Sequence, residues 1–100
     1  MLLFFKVRVE PKDLSPDDLW KIWEKEADVL QGAMAAGKVV AAYKVAGQRR
    51  VVGIFNVESH DELDQVLMAG LPMAPYLVWE ELVPVREYTS FADDVRRRWK

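Results

Sequence analysis

Residues 15–37, SPDDLWKIWEKEADVLQGAMAAG, have the length and periodicity of one long amphipathic helix, and the rest of a 100-residue chain has to be arranged against it. Ser15 is a helix cap, Pro16 suits the first helical position, and Asp17 and Asp18 sit at the positive end of the helix dipole. Gly37 supplies a C-terminal stop. At about 100° per residue, Leu19, Trp20, Ile22, Trp23, Ala27, Val29, Leu30, Ala33 and Met34 fall on one broad arc. Asp17, Asp18, Lys21, Glu24, Lys25, Asp28 and Gln31 fall on the other. Glu26 breaks the pattern, because it lies near the middle of the apolar arc, one turn from Trp23 and one turn from Leu30. Burying a lone carboxylate is costly, so such a group is paired, hydrogen-bonded or protonated. Glu26 is therefore either a structural carboxylate with a partner, one that escapes at a pocket edge, or a functional acid.

A chain of this length makes one small domain whose limited core would gain from oligomerisation. The formal charge of −2, from 14 basic and 16 acidic residues, argues against a nucleic-acid binder. With no cysteine and a single histidine, His60, cysteine-ligated and histidine-rich metal sites are excluded within one chain, and no metal or cofactor is expected. No apolar run approaches a membrane span. The N-terminal MLLFFKVRVE has no basic lead and soon becomes charged, so it reads as a strand, and the protein as cytoplasmic.

In chain order, residues 2–10 alternate, with Leu3, Phe5, Val7 and Val9 on one face of a strand. After the long helix, residues 38–47 form a second strand, Gln48, Arg49 and Arg50 sit around a turn, and residues 51–57 form a third strand. Ser59 and Glu62 make a capping box that opens a second helix, with Leu63, Val66 and Leu67 facing inward and Gly70 at its end. The loop LPMAP leads into a fourth strand, residues 76–83. The order β-α-β-β-α-β predicts a ferredoxin-like α+β domain with an antiparallel sheet over residues 1–84.

The runs VVAAY, VVGIF and YLVW are nearly continuously apolar, although two helices can cover only one face of the sheet. The other face is expected to meet a second copy, giving a dimeric α+β barrel. In the tail, residues 85–100, Thr89 or Ser90 could cap a short helix. Its stripe of Phe91, Val95 and Trp99 seeks a surface, on the sharper reading that of a neighbouring subunit.

Several pieces, taken in order, resemble the muconolactone Δ-isomerases. They are the Ala46-Gly47 turn, Phe55-Asn56-Val57, Ser59 with Glu62-Leu63, and the loop Leu71-Pro72-Met73-Ala74-Pro75-Tyr76. Lys6 and Glu26 also line up with the family. The resemblance implies a cofactor-free isomerase assembled through dimeric barrels into rings, typically decamers. The family reaction shifts a double bond in an unsaturated lactone carrying an acetate arm, by removing an acidified C–H proton and redelivering it to another carbon. That chemistry needs a base of raised pKa, an apolar enclosure and a hold on the anionic arm.

Glu26 is the candidate proton shuttle, because desolvation beside Trp23 and Leu30 should raise its pKa. Lys6, Arg8, Lys44, Arg49 and Arg50 could meet a bound carboxylate, Gln48 and Tyr76 could hydrogen-bond the substrate, and Tyr43 could do so as a weaker candidate. Trp20, Trp23 and Trp79 would serve as pocket walls or as core. Gln48 stands where the family carries a histidine, and the long helix is richer in tryptophan, so the site is open to a related isomerase or cyclase substrate. A non-catalytic ligand-binding module and a purely structural oligomer subunit are the readings from other classes.

Overall fold

The alternation of the first strand organises the molecule. In the computed structural model, which describes residues 1–98, β1 (Leu2–Val9) buries Leu3, Phe5, Val7 and Val9. Phe4, Lys6 and Arg8 take the opposite parity and face the other side of the sheet. The long helix α1 (Pro16–Ala35) follows, with the Ser15 hydroxyl accepting from the Asp18 N–H at 3.1 Å. β2 (Val39–Lys44) and β3 (Arg50–Asn56) form the hairpin. Helix α2 (His60–Gln65) continues as one wider turn over Val66–Gly70, and a single 3-10 turn (Ala74–Tyr76) leads into β4 (Leu77–Val85). A third helix, α3, spans Tyr88–Arg97.

The sheet order is β2-β3-β1-β4, and every neighbouring pair is antiparallel. This is the split β-α-β arrangement of the ferredoxin-like fold. Its core lies on one face, where Leu3, Phe5, Val7, Val39, Phe55 and Val57 pack with Leu30 and Ala33 of α1 and Leu63 of α2. A second cluster joins Val9, Leu19 and Met73.

Two local features shape that face. A Cβ on Gly53 would lie 2.3 Å from the Ala41 carbonyl oxygen and 2.7 Å from the Phe5 ring, so only glycine lets Phe5 lie across the sheet and stack on Phe55 at 4.3 Å. In β4 the register shifts: Val7 faces Trp79 and Lys6 faces Glu81, which leaves Glu80 as the extra residue of a bulge. The bulge keeps both Trp79 and Leu82 on the core face.

Several sequence expectations need correction. The apolar arc of α1 is narrower than its composition indicates: of the helix only Leu19 and Glu26 are buried, while Trp20 is 60 % exposed and Val29 and Met34 are about 40 % exposed. The helix touches the core along one stripe, and open space separates its shoulder from the sheet. β2 ends at Lys44 rather than near Gly47, although the Val45 N–H still donates to the Arg50 carbonyl at 2.9 Å. β4 continues through Pro84, because it is an edge strand and needs no N–H there. Neither Thr89 nor Ser90 caps α3, since Glu87 occupies that position and both lie within the first turn. Trp99, placed on the tail's stripe, lies outside the described residues, as does Lys100.

Candidate functional site

The shoulder of α1 and the core face of the sheet enclose a cavity of about 580 Å³. Its floor is strand residues: Phe5, Val7 and Phe55, with Trp79 brought in by the β4 bulge. Its helical wall carries Trp20, Trp23, Glu26, Leu30 and Met34, and the two tryptophans stack with centroids 6.1 Å apart. Leu71 and Met73, from the loop before β4, close one side. Charged and polar groups also border it, Glu24 and Gln31 from the helix and Lys44 and Arg49 from the hairpin.

Glu26 is the one buried charged residue among the described residues, 8 % exposed. It follows Leu19 by two turns and Trp23 by one, so the same stripe that seats the helix carries the carboxylate into the cavity wall. Its Oε2 is buried without a hydrogen-bond partner among the described residues. Burial pushes the Glu26 carboxyl above the ordinary carboxylate range, and the backbone N–H of Met73 only partly opposes this by favouring the ion. The result is a carboxyl group that can take up or release a proton beside a partly open apolar space.

The candidates from the sequence separate in space. Trp23, Glu26 and Arg49 come together on the cavity, with Trp20, Trp79 and Lys44. Lys6 does not join them: it sits between Val52 and Glu81 on the opposite face of the sheet. Arg50 is held by Glu80, from Nε at 2.7 Å and from Nη2 at 3.1 Å, and its Nη1 donates to the Gln48 side-chain oxygen at 3.1 Å. Gln48 is thereby engaged away from the cavity, and Arg8 pairs with Glu10 and Glu80. Tyr76 does not line the cavity, and its ring lies below the Lys12 ammonium at 5.9 Å. Tyr43 borders the cavity but is 69 % exposed. The Met73 N–H and the Phe5–Phe55 floor were not among the sequence candidates. A backbone donor has no side-chain signature, although the loop that supplies it was visible as a motif.

Comparison with known proteins bears on this geometry. The profile of the family described as "Muconolactone delta-isomerase" matches residues 1–90. The chain is 33 % identical over 92 residues to the muconolactone Δ-isomerase of Rhodococcus opacus, covering 89 % of this chain and 97 % of that one. It is 32 % identical over 95 residues to the corresponding protein of Acinetobacter baylyi, covering 92 % and 98 %. A crystal structure of muconolactone isomerase superposes with a TM-score of 0.74 at 27 % identity, over 87 % of this chain and 91 % of the other.

Proposed function

The chain belongs to the muconolactone Δ-isomerase family, and on that premise we propose that it isomerises muconolactone or a close relative, with Glu26 as the proton shuttle. The observation that carries this reading is the Glu26 carboxyl, buried and with Oε2 unpartnered, in the wall of an apolar cavity. In an α,β-unsaturated lactone the γ C–H is acidified because its loss gives a dienolate. The ionised Glu26 takes that proton, the electron pair delocalises toward the carbonyl oxygen, and the same carboxyl returns the proton to the α carbon. The double bond moves from α,β to β,γ with no net change in atoms. One base serves both ends because the two carbons lie on the same small ring.

A carboxylate works here because desolvation raises its basicity toward that of the carbon acid. The aromatic and aliphatic floor would hold the lactone ring against apolar surface, with few polar groups to compete for the dienolate. A purely structural subunit would fill the space beside Glu26, and a passive binding module would neutralise Glu26 with a permanent partner. The open cavity and the unpartnered Oε2 favour catalysis over both. The test is turnover of muconolactone in deuterated buffer, followed by ultraviolet absorbance and NMR, beside Glu26→Gln. Wild-type turnover with deuterium uptake, lowered about 10²–10⁴-fold in the variant, is expected. Undiminished turnover by the variant would remove Glu26 from the mechanism.

The assembly belongs to the same proposal: a cytoplasmic homo-oligomer built from dimers, up to a decamer. The outer sheet face carries Leu2, Phe4, Val40, Ile54, Val83 and Val85, of which Val40 is 58 % and Val83 43 % exposed, and a second copy would cover it. Helix α3 reaches beyond the matched residues 1–90 and makes little contact with the other elements of its own chain. The described molecule is accordingly long, 57 × 28 × 21 Å, and α3 is proposed to dock on a neighbouring subunit.

A further inference from the structure

The lactone-isomerase reading leaves open how a small, asymmetric anion is oriented in the cavity. An acetate arm cannot enter the aromatic interior as an ion without a partner, so it has to stay at a border that offers a cation. Most basic side chains near the sheet are already committed. Arg50 is bound to Glu80 and Gln48, Arg8 to Glu10 and Glu80, and Lys38 to Glu62. Among the described residues two cations border the cavity, Lys44 and Arg49. The Lys44 ammonium donates to the Val45 carbonyl at 3.0 Å, whereas the Arg49 guanidinium has no hydrogen bond or ion pair among the described residues.

The backbone of Arg49 is held in place. Its carbonyl accepts from the Val9 N–H at 2.8 Å, which ties the turn to the end of β1. The turn is closed by Val45 N–H to Arg50 O at 2.9 Å and Gln48 N–H to Val45 O at 3.1 Å, with Gly47 at φ +76°. The neighbouring residues Gln48 and Arg50 bind one another, so they do not compete for the same anion. Across the cavity the helix contributes Glu24, Gln31 and Glu26, so the acids lie on the helical wall and the bases on the hairpin wall.

We propose that Arg49 anchors the carboxylate of the substrate's acetate arm through its planar, two-pronged guanidinium, with Lys44 adding charge beside it, so that the lactone ring lies inward against the Phe55–Trp79 floor within reach of Glu26. Arg49 is then a specificity-determining residue: it selects lactones with an anionic arm and fixes which ring carbon meets the base. This rests on the isomerase reading, but it concerns binding and can be measured without turnover.

The probes are the saturated lactone bearing the same acetate arm, which has no double bond to move, and its methyl ester. Calorimetric titration of both into the wild type, Arg49→Gln and Arg49→Lys is the experiment, with muconolactone turnover run in parallel. The wild type should bind the acid more tightly than the ester. Arg49→Gln should lose about 10- to 100-fold in affinity for the acid, and Arg49→Lys should recover part of it, with the ester unchanged throughout. In turnover, the glutamine variant should raise KM more than it lowers kcat. An Arg49→Gln protein that binds the acid as the wild type does overturns the anchor, and if the wild type still turns over, the isomerase reading survives alone. Arg49-dependent preference for the acid without turnover leaves the anchor standing and removes the isomerase reading. A wild type that binds neither probe and turns nothing over overturns both.

Discussion

Replacing Glu26 by glutamine keeps the shape of a buried side chain and removes only its charge, so its effect on stability separates a catalytic carboxylate from a structural one. Glu26 is 8 % exposed, its Oε2 has no partner, and burial raises its pKa above the ordinary 4.5. A raised carboxyl pKa means that the folded state binds the proton more tightly than the unfolded state. The group's favourable contribution is therefore fully present below about pH 4.5 and is lost as pH rises through the folded-state pKa. Above that window the folded protein carries a desolvated charge, at a cost of about 1–3 kcal/mol for a buried group left unsatisfied. Glutamine also leaves one buried polar group without a partner, but it never bears that charge. Glu26→Gln should accordingly be more stable than the wild type at pH 8, by up to about 1–3 kcal/mol, and no more stable at pH 4. Urea unfolding at one fixed protein concentration and both pH values measures this, with the change read from the midpoint at constant slope. A variant that is less stable at pH 8 would refute the reasoning, because it would mean that a partner holds the carboxylate and that its role is structural.

Three further outcomes follow from the geometry. The rate constant kcat/KM should rise with pH through a single ionisation above 4.5, since the base must be ionised in the free enzyme; a profile flat from pH 4.5 to 8 would contradict Glu26 as that base. Gly53→Ala should destabilise by about 1–3 kcal/mol or more in urea unfolding, because the new Cβ would meet a backbone carbonyl oxygen at 2.3 Å as well as the Phe5 ring, and the backbone cannot swing aside as a side-chain tip can. Ile54→Glu, placed opposite Phe4 on the outer sheet face, should convert the assembly to smaller species in sedimentation velocity while leaving the circular dichroism spectrum unchanged; an unaltered sedimentation coefficient would show that this face is not the interface.

Much of the fold is legible because its signals are local. The caps at Ser15 and Ser59 bond as their spacing requires, to the N–H groups of Asp18 and Glu62 at 3.1 Å in each case. In the capping box of α2 the Glu62 carboxylate reaches back to the Glu58 N–H at 2.7 Å, one residue earlier than the usual pattern. The outward direction of Lys6 was also within reach: Phe5 and Val7 point into the core, so the residue between them cannot. Alignment with the family favoured Lys6, and strand parity places it on the other face.

The order β-α-β-β-α-β, the helix that carries Glu26, the inward placement of that carboxylate and the family to which the chain belongs are legible in the residues alone. Each depends on periodicity, capping and turn chemistry over a few residues, or on matched motifs. Long-range packing settles that a cavity remains between α1 and the sheet, that Met73 turns a backbone N–H toward Glu26, and that Arg49 rather than Arg50 borders the cavity. Arg49 and Arg50 are adjacent and chemically identical. They differ because Arg50 lies opposite Arg8 in the β1–β3 register, on the face away from the cavity, where Glu80 of the β4 bulge pairs with it across 30 residues. A cavity is the space left when distant elements have packed, and its shape and the charges at its border depend on register and long-range contact, which no local pattern encodes.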